Sequence, residues 1–383
     1  MRLALIHEWF STLAGSEKVV EQVCSLYPQA DLFAVYADPG IVNRTDYLAG
    51  RRLQTSFIQG LPRAARSFRS YLLLMPLAIE QFDLSSYDVV LSSSHTVAKG
   101  VLTGPDQLHI SYVHSPIRYA WDLQHQYLRE TGLDHGVKGW IAKSMLHAMR
   151  IWDCRTAAGV DHFLANSKFI ARRIRKVYGR HADVIYPPVD VHAFPLGTKR
   201  ESFYLAASRF VPYKKMDLII EAFSATPERR LVVIGDGPEF ARAKAKAGPN
   251  VELLGYQPHD VLCDLMRRAR AFVFAAEEDF GITPIEAQAA GAPVVAYGKG
   301  GVLETIRGLD SESPTGVFFP QQDIASLHAA LDTFEARADE FSPEACRQNA
   351  LRFSTERFRE ELEAYVARSV DAFRSQKPER VAV

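Results

Sequence analysis

Cysteine is scarce in this chain. Four stand in 383 residues, Cys24, Cys154, Cys263 and Cys346, with no paired spacing. That excludes a disulfide framework and a cysteine zinc site, and it suits a reducing compartment. Net charge is also missing, since 45 Lys+Arg oppose 45 Asp+Glu. Residues 1–190 carry 21 basic against 17 acidic side chains and residues 191–383 carry 24 against 28, an asymmetry too mild for general nucleic-acid binding. Long apolar runs are absent as well. The longest, YLLLMPLAI at 71–79, is too short to span a bilayer and contains Pro76. The opening MRLALIHEWF is charged at once and lacks the apolar core of a signal peptide, so a cytoplasmic protein is expected. No Walker A spacing and no Asp-x-Asp metal motif occur.

What is present is an ordinary globular composition, 47% hydrophobic and 23% charged. The length exceeds the roughly 250–300 residues at which one core stops growing, which predicts two domains. LALI (3–6), YDVVLSSS (87–94), LHISYVH (108–114) and HFLANS (162–167) read as buried strands, with helical EKVVEQVCSLY and KFIARRIRKVYG between or after them. VIYPPVDVHAF (184–194) breaks the rhythm with two prolines and is the expected linker. The pattern restarts with SFYLAAS (202–208), RLVVIGDG (230–237), VELLG (251–255), AFVFAA (271–276) and APVVAYG (292–298). Continuous apolar strands alternating with helices predict α/β domains with parallel sheets covered on both faces. The expected layout is two Rossmann-like doubly wound domains facing a central cleft, 1–188 and 189–355. The C-terminal helix, about 356–383, would pack back on the first.

The second half carries the chemistry. In EEDFGITPIEAQAAG (277–291), Thr283 suits a helix N-cap, Pro284 the first helical position and Glu286 the third, where it would close a capping box. The same helix start places free amides near Gly281 and Ile282, where an anion can sit. Arg209 follows a strand and Lys214 comes five residues later, in ASRFVPYKKMD. Strand-end loops of open parallel sheets face the ligand crevice, so this pair could grip a diphosphate. Glu304 reads either as a ligand residue or as a first-turn acid of the helix after GKGG (298–301). In the first half, Arg63, Arg66 and Arg69 recur every three residues among Phe68, Leu72 and Leu73. On a helix this makes a basic strip beside an apolar one, equally suited to a solvated face and to an anionic membrane or acceptor.

Strand-R-x-V-P-x-K, followed by E-x-F-G and a second glutamate after seven intervening residues (Glu278 and Glu286), resembles the GT4 glycosyltransferases. GSEKV (15–19), SSSHTVAKG (92–100), YVHSPIRYAWD (112–122) and YPPVD extend the resemblance over nearly the whole chain. It implies a GT-B fold and a retaining, metal-independent hexosyltransferase with no cofactor beyond its nucleotide-sugar co-substrate. Arg209 and Lys214 would take the diphosphate, Glu278 the transferred sugar's hydroxyls and Glu286 the ribose, with Glu304 as a further donor residue. His114 would meet the sugar, and Gly15 would approach the diphosphate, although Ala14-Gly15 stands where Gly-Gly is frequent. HSPIRYAWD resembles bacterial polysaccharide and O-antigen mannosyltransferases. That favours GDP-mannose over UDP-hexose, a glycan or polyprenyl-diphosphate-linked acceptor, and peripheral contact with the membrane's inner face. Three rivals differ in class. An epimerase would need no acceptor; a glycosidase would use Glu278 and Glu286 as its acid pair; a binding scaffold would hold donor and transfer nothing.

Overall fold

The computed structural model describes residues 1–376. The chain divides into two compact units, Met1–Pro188 with the stretch from Phe358 onward, and Val189–Arg357.

The first unit is built on seven strands: β1 Leu3–Phe10, β2 Asp31–Ala37, β3 Leu53–Thr55, β4 Val89–Ser94, β5 Leu108–Val113, β6 His162–Ala165 and β7 Asp183–Val184. Their order is β3-β2-β1-β4-β5-β6-β7, every pair parallel. β4 and β5 are buried at every residue, which is why they read as unbroken apolar or small-residue runs. One face of the sheet is covered by the helix Gly15–Leu26 and by the last helix, Thr355–Ser375. Phe358, Leu362, Val366 and Val370 recur every four residues along that last helix and bury one stripe. Each contributes roughly 1.5–3 kcal/mol of apolar burial. Residues 377–383 of the expected terminal helix lie outside the described residues.

A buried polar knot sits in the same unit. Lys99 Nζ lies 2.7 Å from Asp153 Oδ1, and the two side chains are 1% and 0% exposed. Asp153 also accepts from Trp121 Nε1 at 2.7 Å and from the Tyr178 hydroxyl at 3.0 Å. Lys99 donates to Thr156 Oγ1 at 2.9 Å. Every buried charge therefore has partners, the condition under which burial is tolerated.

The basic strip is not a helical strip. Arg63 takes a left-handed conformation at φ 59°, a short helix runs Ala64–Ser67, and a 3-10 stretch with a kink at Tyr71 follows. Pro76 then begins a separate helix, Met75–Glu80. Proline suits the first turn of a helix, and the chain has already left helical geometry at Ser67, φ -152° and ψ 36°, between Arg66 and Arg69. Arg63, Arg66 and Arg69 are exposed but share no helical face. Arg69 instead lies over the rings of Phe68 and Trp9, at 4.8 and 5.7 Å.

The second unit has six parallel strands: β8 Phe203–Ala207, β9 Arg230–Ile234, β10 Val251–Gly255, β11 Ala271–Phe274, β12 Val294–Tyr297 and β13 Gly316–Phe319. They are ordered β10-β9-β8-β11-β12-β13. The helix Ile282–Ala289 is buried from Pro284 to its end. Its polar Gln288 donates to Thr305 O at 2.9 Å and accepts from Asn349 at 2.7 Å. β2, β3, β7 and β13 are not among the expected strands: β3 and β7 are too short to show a pattern, whereas β2, DLFAVYA, is a continuous apolar run after Asp31 that went unread. Among the described residues no helix is long and apolar enough to cross a membrane.

Candidate functional site

Both sheets reverse their winding at one place, between β1 and β4 in the first unit and between β8 and β11 in the second. The strand ends at such a reversal diverge and leave a crevice, the usual ligand position in open α/β sheets. Arg209, Lys214, Glu278, Gly281 and Ile282 follow the two strands of the second reversal and Gly15 follows β1 of the first, while His114 follows β5, Glu304 lies beyond β12, and Arg63, Arg66 and Arg69 lie beyond β3.

In the second unit, Arg209 and Lys214 lie on the loop after β8, and Glu278 lies on the loop after β11. Lys214 Nζ and Glu278 Oε1 form a direct ion pair across the reversal, with 17% and 20% of the side chains exposed. The opposed charges neutralise each other where solvent screening is reduced. Arg209 is exposed, and its guanidinium makes no hydrogen bond or ion pair among the described residues. The acid loop is fixed by backbone: Gly301 N–H donates to Glu278 O at 2.8 Å, and Glu277 pairs with Lys299 at 3.0 Å. Gly300 has φ +84°, and a Cβ there would lie 2.4 Å from Glu278 O, so this close approach requires glycine. Glu304 stands in the first turn of Val302–Thr305, with its N–H bonded to Gly301 O at 2.9 Å.

The helix after the acid loop begins earlier than its sequence suggests. Gly281, at φ 89°, is the N-cap, and Ile282, not Pro284, is the first helical residue. Pro284 is tolerated because the first turn's N–H groups have no helical acceptors. Glu286 is therefore one turn inside the helix, 8% exposed, and closes no capping box with Thr283. The open amides and the helix dipole beside Gly281 and Ile282 remain available to an anion.

In the first unit, His114 follows β5 and Gly15 opens the helix Gly15–Leu26. The structure adds a buried cluster that the sequence reading did not include: His7, Glu8, Glu17 and His95. The clue was available, since His-Glu interrupts the otherwise apolar β1 run LALIHEWF. Glu8 accepts from the backbone N–H groups of His95, Thr96, Val97 and Ala98 at 2.7–3.1 Å. Burial alone would raise its pKa, but the nearby His95 and these amides outweigh that and lower it. Those amides are thus satisfied from within and form no open anion cradle.

Glu17 accepts from Ala14 N–H at 3.0 Å and from the Ser16 hydroxyl at 2.9 Å, and its Oε1 lies 3.5 Å from His7 Nε2. Burial opposes its ionisation, yet His7 and Ser16 hold the carboxyl at about 2, below its ordinary 4.5. A depressed carboxylate stabilises the fold above its unfolded pKa and loses that contribution as pH falls through the folded one. Denaturant unfolding of the wild type should therefore lose on the order of 3 kcal/mol between pH 5 and pH 2 from this group. Glu17→Gln should remove that part of the slope.

Residues 15–193 match the model of Glycosyltransferase Family 4, and residues 191–353 match that of Glycosyl transferases group 1. Solved structures place the architecture among GT-B glycosyltransferases. Sucrose-phosphate synthase from Thermosynechococcus elongatus aligns with a TM-score of 0.72 at 16% identity, over 97% of this chain and 100% of its own. HepE from Anabaena, in complex with UDP, aligns at 0.69 and 15% identity, over 96% and 100%. Taken together, the two matches run from residue 15 to 353, and the chain belongs to glycosyltransferase family 4.

Among curated proteins it is similar to D-inositol 3-phosphate glycosyltransferase of Mycobacterium sp. (strain KMS), 25% identical over 243 residues, 57% of this chain and 54% of that one. The enzyme of that name from Mycobacterium tuberculosis (strain ATCC 25177 / H37Ra) is 25% identical over 250 residues, 57% and 51%. The chain spans about half the length of these relatives.

Proposed function

We propose that this chain is a retaining, metal-independent glycosyltransferase that moves a hexose from a nucleotide sugar to a lipid-linked glycan. The observation that carries the reading is the Lys214–Glu278 pair at the sheet reversal, with Arg209 exposed on the same loop as Lys214 and the helix start at Gly281 close behind Glu278. An arriving diphosphate competes for Lys214, and Arg209 supplies a second, bidentate cation. Glu278, released from its ion pair, accepts from the hydroxyls of the transferred sugar, which His114 also contacts. Glu286 accepts from the ribose. The sugar C1–O bond then breaks with its electron pair passing to the phosphate oxygen, where the cations stabilise the developing charge. The acceptor oxygen bonds to C1 on the same face, and its proton goes to the departing phosphate.

GDP-mannose is the first choice of donor, on the resemblance of HSPIRYAWD. A second reading, UDP-hexose, takes its support from HepE, whose structures were obtained with UDP and with UDP-glucose. A thermal-shift panel of GDP, UDP, ADP and their sugar conjugates separates the two. Ligand at a hundredfold excess over Kd should stabilise by about 2.7 kcal/mol. Selectivity for GDP compounds supports mannose and selectivity for UDP compounds replaces it. Silence from every nucleotide would sink the function.

A lipid-linked acceptor asks for a membrane-facing surface, and the helix Gly136–Thr156 offers one. Val137, Trp140, Ile141 and Ile151 are 76%, 71%, 47% and 59% exposed and fall within one helical stripe. Lys138 and Lys143 flank that stripe, and the helix's one acid, Asp153, is buried. An apolar stripe with cationic margins suits an anionic bilayer. Flotation with phosphatidylglycerol vesicles should carry the wild type, and the double change Trp140→Glu, Ile141→Glu should leave it in the soluble fraction. Equal flotation of both would reject this surface.

A further inference from the structure

Three short links join Glu17 to His114 through the interior of the first unit. Glu17 Oε1 lies 3.5 Å from His7 Nε2, His7 Nδ1 lies 3.2 Å from Ser93 Oγ, and Ser93 Oγ lies 2.8 Å from His114 Nε2. His7 and Ser93 are fully buried. His7 Nε2 is buried and makes no hydrogen bond among the described residues; its ion-pair contact is Glu17 Oε1 at 3.5 Å, so a proton on it faces that carboxylate.

The direction of each hydrogen bond follows from the first. An ionised carboxylate can only accept. A bare His7 Nε2 would set its lone pair against that carboxylate, so Nε2 carries a proton, and a ring holding that one proton accepts at Nδ1. Among the described residues the donor there is the Ser93 hydroxyl, which is then left to accept from His114. His114 must therefore be protonated at Nε2, and its Nδ1 is left as a lone pair. Burial, with His95 and His7 nearby, keeps His114 well below its ordinary pKa, so one nitrogen donates and the other accepts. Other charged neighbours do not compete for this chain. His95, whose ring lies 6.4 Å from those of His7 and His114, bonds Thr96 at 3.1 Å. Glu8 is held by the amides of residues 95–98.

We infer that Glu17, His7 and Ser93 are positioning residues that fix His114 as the Nε2–H tautomer, so that Nδ1 accepts a hydrogen bond from a hydroxyl of the transferred sugar. This rests on the reading that His114 meets the donor sugar. The same Glu17 also ties down Ala14 and Ser16 beside Gly15, so the glycine turn and the histidine share one buried support.

The test is nitrogen-15 NMR of the full-length protein labelled at histidine, since the two neutral tautomers give different pairs of ring-nitrogen shifts. It is read beside turnover of the nucleotide sugar with water as acceptor. The wild type should show His114 as Nε2–H. Ser93→Ala should give mixed tautomers and lower kcat by about tenfold or more, while the nucleoside diphosphate binds as before. Ser93→Cys, similar in size but a weak donor and acceptor, should lie between and guards against a folding defect. An Nδ1–H wild type, an unchanged tautomer in Ser93→Ala, or a changed tautomer with unchanged kcat each overturns the inference. Absence of nucleotide binding with the tautomers as described would remove the function and leave the buried chain standing.

Discussion

On the proposed reaction, Arg209→Ala is expected to lower turnover by about 10²–10³-fold while leaving the protein folded, because it removes a cation that would hold the diphosphate and meet the charge developing on it. The side chain is exposed and has no partner to lose among the described residues, so stability should stay within about 0.5 kcal/mol. Lys214→Ala should lose comparable activity for a second reason. Glu278 would then face the incoming phosphate as an uncompensated negative charge. Lys214→Arg keeps the charge but not the compact ammonium that meets Glu278, and should recover only part of the rate. Steady-state kinetics with the donor identified by thermal shift, beside the melting temperature of each variant, measures both. A variant that unfolds would make the loop structural, and one that turns over normally would remove it from the mechanism.

The second large effect is on stability. Asp153→Ala should cost about 3–5 kcal/mol, the range for removing one partner of a buried ion pair, because Lys99 is left charged with no carboxylate. Trp121 Nε1 and the Tyr178 hydroxyl lose an acceptor in the same stroke. The double replacement Lys99→Met, Asp153→Leu should recover part of that loss, since no lone charge then remains. Denaturant unfolding at neutral pH gives the comparison. Equal stability of Asp153→Ala and wild type would mean that water reaches Lys99.

How much of this was legible beforehand differs from element to element. β4, β8 and β11 are unbroken apolar or small-residue runs, and β5 and β9 are nearly so apart from His109 and the exposed Arg230, and such runs announce themselves. β3 and β7 have three and two residues, too few for any periodicity. The pairing of Lys214 with Glu278 could be suspected from spacing, because both follow strands whose ends meet at the reversal. The start of the helix at Gly281 could not. Thr283 and Pro284 are good opening residues, and the competing start is decided by a positive φ that a sequence does not display. The Arg63, Arg66 and Arg69 pattern misled for a related reason: periodicity says which residues would share a face if a helix formed, while the left-handed Arg63 and the non-helical Ser67 between Arg66 and Arg69 show that it does not. His7 and Glu8 were marked by the break they make in the apolar β1 run, but what they do could not be read, since Ser93 and the amides of residues 95–98 lie eighty residues and more away; Glu17 sits on a helix and joins them only once the fold is in view.

The unit that the ribosome makes first is finished last. Its sheet is complete by Pro188, yet one face still waits for Phe358, Leu362, Val366 and Val370, which emerge only after the whole of Val189–Arg357 has been synthesised. At about 5–20 residues per second, that leaves the apolar face bare for roughly ten to thirty seconds. The second unit is continuous in sequence and can close on itself meanwhile. Nascent chains of this protein therefore carry a half-covered sheet while the whole of Val189–Arg357 is made, and loss of the helix Thr355–Ser375 would strand the protein in that state permanently.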